Sequence, residues 1–280
     1  MSFYSSFAVI GAGLLGGPII AALAAEPSVK VILLSRSASK TVPENVQVVQ
    51  VPSYDDVAAV TAALKSHNVE VIVSTLSTGA IPAQAPLVDA AKQAGVKLFV
   101  PSEFGAPTDG HTELEFGQKN KIAGQLRSVG VPYLRIFNGV FTEFLTWAVN
   151  YDAAAKKIYV IGKSEGIVSV TSIGDVAGYV AHVLTHLPPS ALENQTLRIE
   201  GDRVLGYRSL GPLLGAEVET VKTLEGEMAG LKTFLMQIAD QGIATTGHGV
   251  EGVPDEEASK SGNALWPGHQ WKTVKDVLGL

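Results

Sequence analysis

Two stretches of this chain combine residues in patterns suited to chemistry, and the first addresses a phosphate. Gly11-Ala12-Gly13-Leu14-Leu15-Gly16 reads G-x-G-x-x-G, directly after the apolar run Phe7–Ile10 and before an Ala/Leu/Ile-rich stretch that continues to about Ala25. Glycines there permit a tight turn and let the backbone approach a pyrophosphate, which rests on the positive N-terminus of the following helix. The strand before and the helix after are what give this motif its specificity. The next apolar run, Val29–Leu34, ends in Ser35-Arg36, followed by Lys40, with no acid in between. Binders of NAD place Asp or Glu there against the ribose 2′-hydroxyl, whereas a 2′-phosphate requires a cation, so these residues select NADPH over NADH.

The second stretch is a helix predicted over about Glu113–Val129. Phe116, Lys119, Ile122, Ala123, Leu126 and Val129 fall on one stripe of it, and Lys119 is the one charged member. Lys121 instead shares a face with Gln125 and Ser128, the pattern of a solvated surface. An amine held in a dehydrated cleft beside a cationic nicotinamide releases its proton more readily and can transfer protons near neutrality. The same place at the edge of an apolar stripe equally suits a lysine that snorkels outward. Periodicity leaves both readings open.

These groups need a scaffold, and the pattern supplies one. Val46–Val51, Val69–Thr75, Val96–Val100 and Pro132–Phe137 are short, β-branched-rich and bounded by turn residues, with helical composition at Tyr54–Ser66 and Pro82–Ala94 between them. Strands alternating with helices predict an α/β fold of the Rossmann type, a doubly wound parallel sheet with helices on both faces. Near-continuous apolarity in the strands fits burial on both sides. Residues 1–150 are expected to form this domain, with 166–186 returning to it, and 151–280 mainly a smaller C-terminal substrate lobe. In that lobe Lys157–Ile161, Ile167–Val170 and Thr196–Glu200 look like strands, Gly174–Thr185 like a helix, and Thr220–Asp240 like a mostly helical stretch. Gly242–Asn263 reads as a long loop, either a mobile lid or a plain surface connection.

Composition narrows the classes further. Of 280 residues 46% are hydrophobic and 17% charged, enough for a sizeable core. The formal charge of −6 comes without a basic run beyond Lys156-Lys157, which argues against nucleic acid as a partner. No cysteine is present, so disulfides and thiolate chemistry are excluded and a cytoplasmic location is the expectation. Ala8–Ala25 is uncharged, yet its glycines, Pro18 and the absence of Lys or Arg before it argue against a membrane span or signal peptide. No metal site is expected: His182 and His186 lack the Glu of H-E-x-x-H and a third ligand, and read as a surface helix.

The run Phe99-Val100-Pro101-Ser102-Glu103-Phe104-Gly105, then Lys119, then Gly130-Val131-Pro132-Tyr133 and Asn138-Gly139-Val140-Phe141, resembles the NmrA-like/isoflavone-reductase group of atypical short-chain dehydrogenases. The likeness is strongest over residues 7–180. It implies that Lys119, rather than Lys121, is the general acid/base, that NADPH is the cofactor, and that Pro101, Ser102, Glu103, Phe104 and Asn138 lie beside it. It also implies a reductase of phenylpropanoid-like, isoflavonoid-like or other aromatic compounds, such as enones, benzylic ethers or quinones. The wider group includes non-catalytic sensors that bind NAD(P) and regulate a protein partner, which is the alternative reading. Two departures stand out. The first glycine of the group's usual G-x-x-G-x-x-G is Ile10 here, and the Tyr-x-x-x-Lys of ordinary short-chain dehydrogenases finds Glu115 four residues before Lys119. Tyr159 and Lys163 match that spacing by letters only, in a segment predicted to be a strand.

Among the remaining candidates, Thr75-Leu76-Ser77 closes a strand where a cofactor would pass, although local hydroxyl bonding in a turn is the plainer role. Ser102 either orients a substrate oxygen or ties down the turn after Pro101. Asp175 follows Ser172 in a capping-box spacing, and Trp266 and Trp271 suit aromatic packing or a substrate wall. Substrate identity is not legible at this level, and both a monomer and a homodimer stay open.

Overall fold

The computed structural model describes residues 3–280. Its first half runs β1 (Ser6–Ile10), α1 (Gly16–Ala25), β2 (Lys30–Ser35), β3 (Val46–Gln50), α2 (Val57–Ser66), β4 (Val71–Ser74), α3 (Gln84–Ala94), β5 (Leu98–Val100), α4 (Leu114–Val129) and β6 (Leu134–Phe137). The strands pair in parallel in the order β3-β2-β1-β4-β5, and a parallel bridge from Phe99 to Tyr133 continues towards β6. This is the doubly wound arrangement the alternating pattern predicts. Ile10 lies opposite both Leu34 and Ser74, so β1, β2 and β4 end level and the residues after them emerge along one edge. Strand order reverses at β1, between β2 and β4, which is where such sheets bind ligands.

Side-chain alternation explains the layers. Ala8, Ile10, Ile32, Leu34, Ile72 and Phe99 point to one face and pack with Val60, Leu64, Leu87, Val88, Ile122 and Leu126 of α2, α3 and α4. Their neighbours Phe7, Val9, Val31, Leu33, Val71 and Val73 are also buried, and α1 lies against β1 and β2 with Ile19, Ile20 and Leu23 inward. Strands covered on both sides must be apolar throughout, as these are.

The second half contains β7 (Val140–Phe141), α5 (Leu145–Ala148), β8 (Lys157–Val160), β9 (Val168–Thr171), α6 (Ile173–His186), β10 (Gln195–Arg198), β11 (Asp202–Val204), α7 (Leu210–Leu214), β12 (Glu217–Thr220), α8 (Ala229–Asp240), α9 (Asp255–Ser259) and α10 (Val274–Leu278). Small sheets are formed by β11-β9-β7, β12-β8 and β10-β6. The chain divides into two compact units, 1–103 with 108–136 and 177–197, and 104–107 with 137–176 and 198–280. The boundary therefore falls at 136/137 rather than 150, and the returning segment is 177–197 rather than 166–186. The reason is strand pairing: β7 and β9 pair with each other, while β10 pairs with β6. The helix expected across Thr220–Asp240 begins only at Ala229: Thr220 still pairs with Val160 of β8, and Val221 N donates to Val160 O. The segment 242–263 is no free loop. It contains α9, and Ala244, Thr245, Thr246, Ala258 and Ser259 are buried.

Candidate functional site

The three glycines of the first turn do three different things. Gly11 has φ +97, a conformation L side chains rarely adopt, and a Cβ there would stand 2.9 Å from Thr75 Oγ1. A Cβ on Gly16 would overlap the Gly11 carbonyl oxygen and lie 2.5 Å from Thr75 Oγ1. A Cβ on Gly13 would meet nothing within 4 Å, so this glycine faces open space. Thr75 completes the turn, its hydroxyl donating towards the carbonyls of Ile10 (3.1 Å) and Gly11 (3.0 Å). Its hydroxyl is thus engaged within the turn itself. No side chain caps the N-terminus of α1, whose N-cap is Leu15, and its first turn holds no acid. Leu15 is buried while Leu14 is 69% exposed beside the turn. Bare amides, open space at Gly13 and no competing carboxylate form a donor set that fits a pyrophosphate.

At the end of β2, Ser35 is buried and its Oγ accepts from Ser37 N at 3.1 Å. Arg36 and Lys40 are exposed, and the Arg36 guanidinium lies 5.4 Å from the ring centroid of Tyr54. Burial pushes the Tyr54 hydroxyl above its ordinary pKa although Arg36 opposes the shift, which keeps it a donor to Leu34 O at 3.2 Å. A planar cation steadied on an aromatic ring at a strand's carboxyl end suits a phosphate monoester.

Past β4 and β5 the two chain ends are tied together. Ser102 Oγ donates to Leu76 O at 2.8 Å, and Ser102 N donates to Gln84 Oε1 at 2.8 Å. The Ser102 hydroxyl therefore fastens the turn after Pro101, while Ser77 is exposed.

Lys119 lies on α4 with Ile122, Ala123 and Leu126 buried below it and Lys121 exposed on another face. Its Nζ donates to the Glu103 carbonyl oxygen at 2.7 Å and stands 3.3 Å from Glu115 Oε1. A carbonyl and a carboxylate thus face the amine. The carbonyl is held from behind. Buried Glu103 accepts from Arg135 Nε at 2.8 Å and from Thr108 Oγ1 at 3.0 Å. Arg135 also donates to Thr108 Oγ1 at 2.6 Å and to Asp109. Burial pulls the Arg135 pKa down, but Glu103 and Asp109 more than reverse this and hold it above its ordinary value. Arg135 and Thr108 were not singled out from the sequence, and Glu115 was noted only as standing where ordinary short-chain dehydrogenases have their tyrosine. The signal for Arg135 was there in Leu134-Arg135-Ile136-Phe137, a lone cation in a strand-length apolar run, which must bury a partner with it.

Phe104 and Asn138 belong to the second unit. Asn138 and Gly139 both donate their backbone N–H to Gly105 O at 3.1 Å, and Asn138 O accepts from Thr171 Oγ1 at 2.8 Å. The Asn138 Oδ1 is buried with no hydrogen-bond partner. Tyr159 sits in β8, so its spacing to Lys163 is not helical. Asp175 N donates to Ser172 Oγ at 3.0 Å, and the Asp175 carboxylate accepts from His269 Nε2 and Lys272 N. Trp266 stacks on His269 at 3.6 Å between centroids. His182 and His186 stack on each other, and no group of potential metal ligands occurs among the described residues. Nor is any described helix long and apolar enough to cross a membrane.

Comparison with known proteins fits this geometry. An oxidoreductase of Aspergillus flavus is 35% identical over 145 residues, 48% of this chain and 48% of that protein. An isoflavone reductase homolog of Zea mays is 33% identical over 199 residues, 67% of this chain and 62% of that protein. The chain thus spans about half to three-fifths of these relatives. Among solved structures, a leucoanthocyanidin reductase–NADPH complex from Vitis vinifera superposes with TM-score 0.79 at 18% identity, covering 98% of both chains, a likeness of fold. The model of the NmrA-like family matches residues 5–204, from β1 through the turn and Lys119 to β11, and the chain belongs to that family.

Proposed function

We propose that this chain is an NADPH-dependent reductase of a small aromatic molecule of the phenylpropanoid or isoflavonoid kind (an enone, benzylic ether or quinone), with Lys119 as general acid. The observation that carries the reading is the anchored amine of Lys119. An ammonium has three N–H donors. One is committed to Glu103 O and another faces Glu115, which leaves a third for a substrate oxygen. The amides around Gly13 and the N-terminus of α1 would hold the pyrophosphate, and Arg36 with Lys40 the 2′-phosphate. NADPH, when bound, supplies the hydride. The protein's part is to hold a proton at Lys119 Nζ and deliver it to the oxygen that gains charge as the substrate is reduced. Names borne by relatives support the substrate class: the maize protein is an isoflavone reductase homolog and the grape protein a leucoanthocyanidin reductase.

NADPH oxidation followed by absorbance against trans-chalcone, menadione and a phenylcoumaran tests the activity. Lys119→Ala is expected to bind NADPH like the parent by calorimetry and to lose roughly a hundredfold or more in turnover. Parental turnover in that variant would remove Lys119 from the mechanism. NADPH uptake without oxidation across the panel would instead favour a sensor that signals to a protein partner.

A further inference from the structure

Glu115 and Lys119 are one helical turn apart on α4, and the carboxylate is the better exposed of the two, 21% against 11% for the lysine side chain. Lys119 Nζ has two close acceptors. Glu103 offers a carbonyl oxygen, which cannot carry a proton, whereas Glu115 offers a carboxylate, which can. The carbonyl side is rigid, because Arg135 and Thr108 grip the Glu103 side chain from the buried side. The pair is partly buried, and a Glu–Lys pair one helical turn apart adds little to a helix, so its value need not be structural. We infer that Glu115 is the group through which Lys119 regains its proton after each turnover.

This rests on the reading of Lys119 as the acid. In the reduction, an N–H bond of the Lys119 ammonium breaks as an O–H bond forms on the substrate oxygen, leaving a neutral amine. A Glu115 oxygen then takes a proton from hydronium or a protonated buffer molecule, leaving water or the buffer's conjugate base in solvent. That new O–H bond breaks as an N–H bond forms at Lys119, restoring ammonium and carboxylate. Glu115 touches neither substrate nor cofactor in this scheme. It acts through Lys119, as a positioning and proton-returning residue.

The test separates the first turnover from those that follow. The wild type, Glu115→Gln and Lys119→Ala are mixed in stopped flow with NADPH and trans-chalcone, menadione or a phenylcoumaran, whichever the wild type reduces. Glutamine keeps an oxygen facing Lys119 Nζ but carries no transferable proton. The first turnover of Glu115→Gln uses the proton already on Lys119 and should stay within about twofold of wild type, with later turnovers roughly tenfold slower or more. The trace then shows a burst of one NADPH oxidised per chain. In Glu115→Ala, added formate should restore the later turnovers in proportion to its concentration. Equal slowing of every turnover would mean that Glu115 only shapes the site, and no slowing would mean that it does nothing; either overturns the inference. If Lys119→Ala matches wild type, or nothing in the panel is reduced, the proposed function itself fails. If Lys119→Ala is inactive and Glu115→Gln unaffected, only the inference does.

Discussion

Arg36 leaves the end of β2 into solvent, with the ring of Tyr54 on one side and no carboxylate in the five residues from Ser35 to Ser39. Its place just after a strand follows from local sequence, and the proposed contact with a 2′-phosphate rests on that place. Removing a charge-assisted contact to the 2′-phosphate costs about 1.5–3 kcal/mol. Arg36→Ala is therefore expected to weaken NADPH roughly ten- to a hundredfold by calorimetry and to leave NADH nearly unchanged. Equal weakening of both coenzymes would take Arg36 out of the 2′-phosphate site. Lys119 is a different case. Its inward face follows from helical spacing, but the Glu103 carbonyl that holds it comes from a separate loop, and that loop is fastened by a guanidinium on β6. No periodicity links 103, 119 and 135.

Among the elements, the β1–α1 turn gives the sharpest contrast between two chemically identical changes. Gly16→Ala forces a methyl against the Gly11 carbonyl and Thr75 hydroxyl, so the backbone must move. Its expected cost is about 1–3 kcal/mol of stability in a urea titration, with loss of NADPH binding as the turn opens. Gly13→Ala meets no protein atom within 4 Å and should unfold at the parental urea concentration while still binding NADPH poorly, because the methyl fills the space of the ligand. Parental NADPH affinity in Gly13→Ala would show that Gly13 does not face the pyrophosphate. The region 220–240 shows the limit of local reading. Its composition suits a helix, but Val218 pairs with Ile158 sixty residues earlier, and that partner makes a strand of Glu217–Thr220.

On the scale of the whole chain, each compact unit carries its own buried ionic hub. Glu103 with Arg135 serves the first, and Glu200 serves the second, accepting from Ser169 Oγ and twice from Arg203 Nε, at 3.0 and 3.2 Å. Arg203 reaches on to Asp255 and Ser259, both at 3.0 Å, and Thr246 N donates to Ser169 Oγ, so the hub fastens the segment 242–263. Arg203→Met would leave the buried Glu200 carboxylate with the Ser169 hydroxyl and with Lys260, 3.9 Å away. A destabilisation of about 3 kcal/mol is expected, the low end for breaking a buried pair, since one cation remains near. Limited proteolysis should then cut within 242–263 while the parent resists. Cleavage there in the parent at the same rate would restore the reading of that segment as a free loop.

The glycine turn, the cation after β2, the parallel sheet and the inward lysine were all readable in the chain as written, because each arises from neighbours within a few residues or from a simple period of two or 3.6. The partners of the Thr75 and Ser102 hydroxyls, the boundary at 136/137 and the grip of Arg135 on Glu103 were not. Each depends on groups that lie far apart along the backbone and meet only after strands have paired and polar atoms have been buried. Which polar groups must then satisfy one another is a property of the packed molecule.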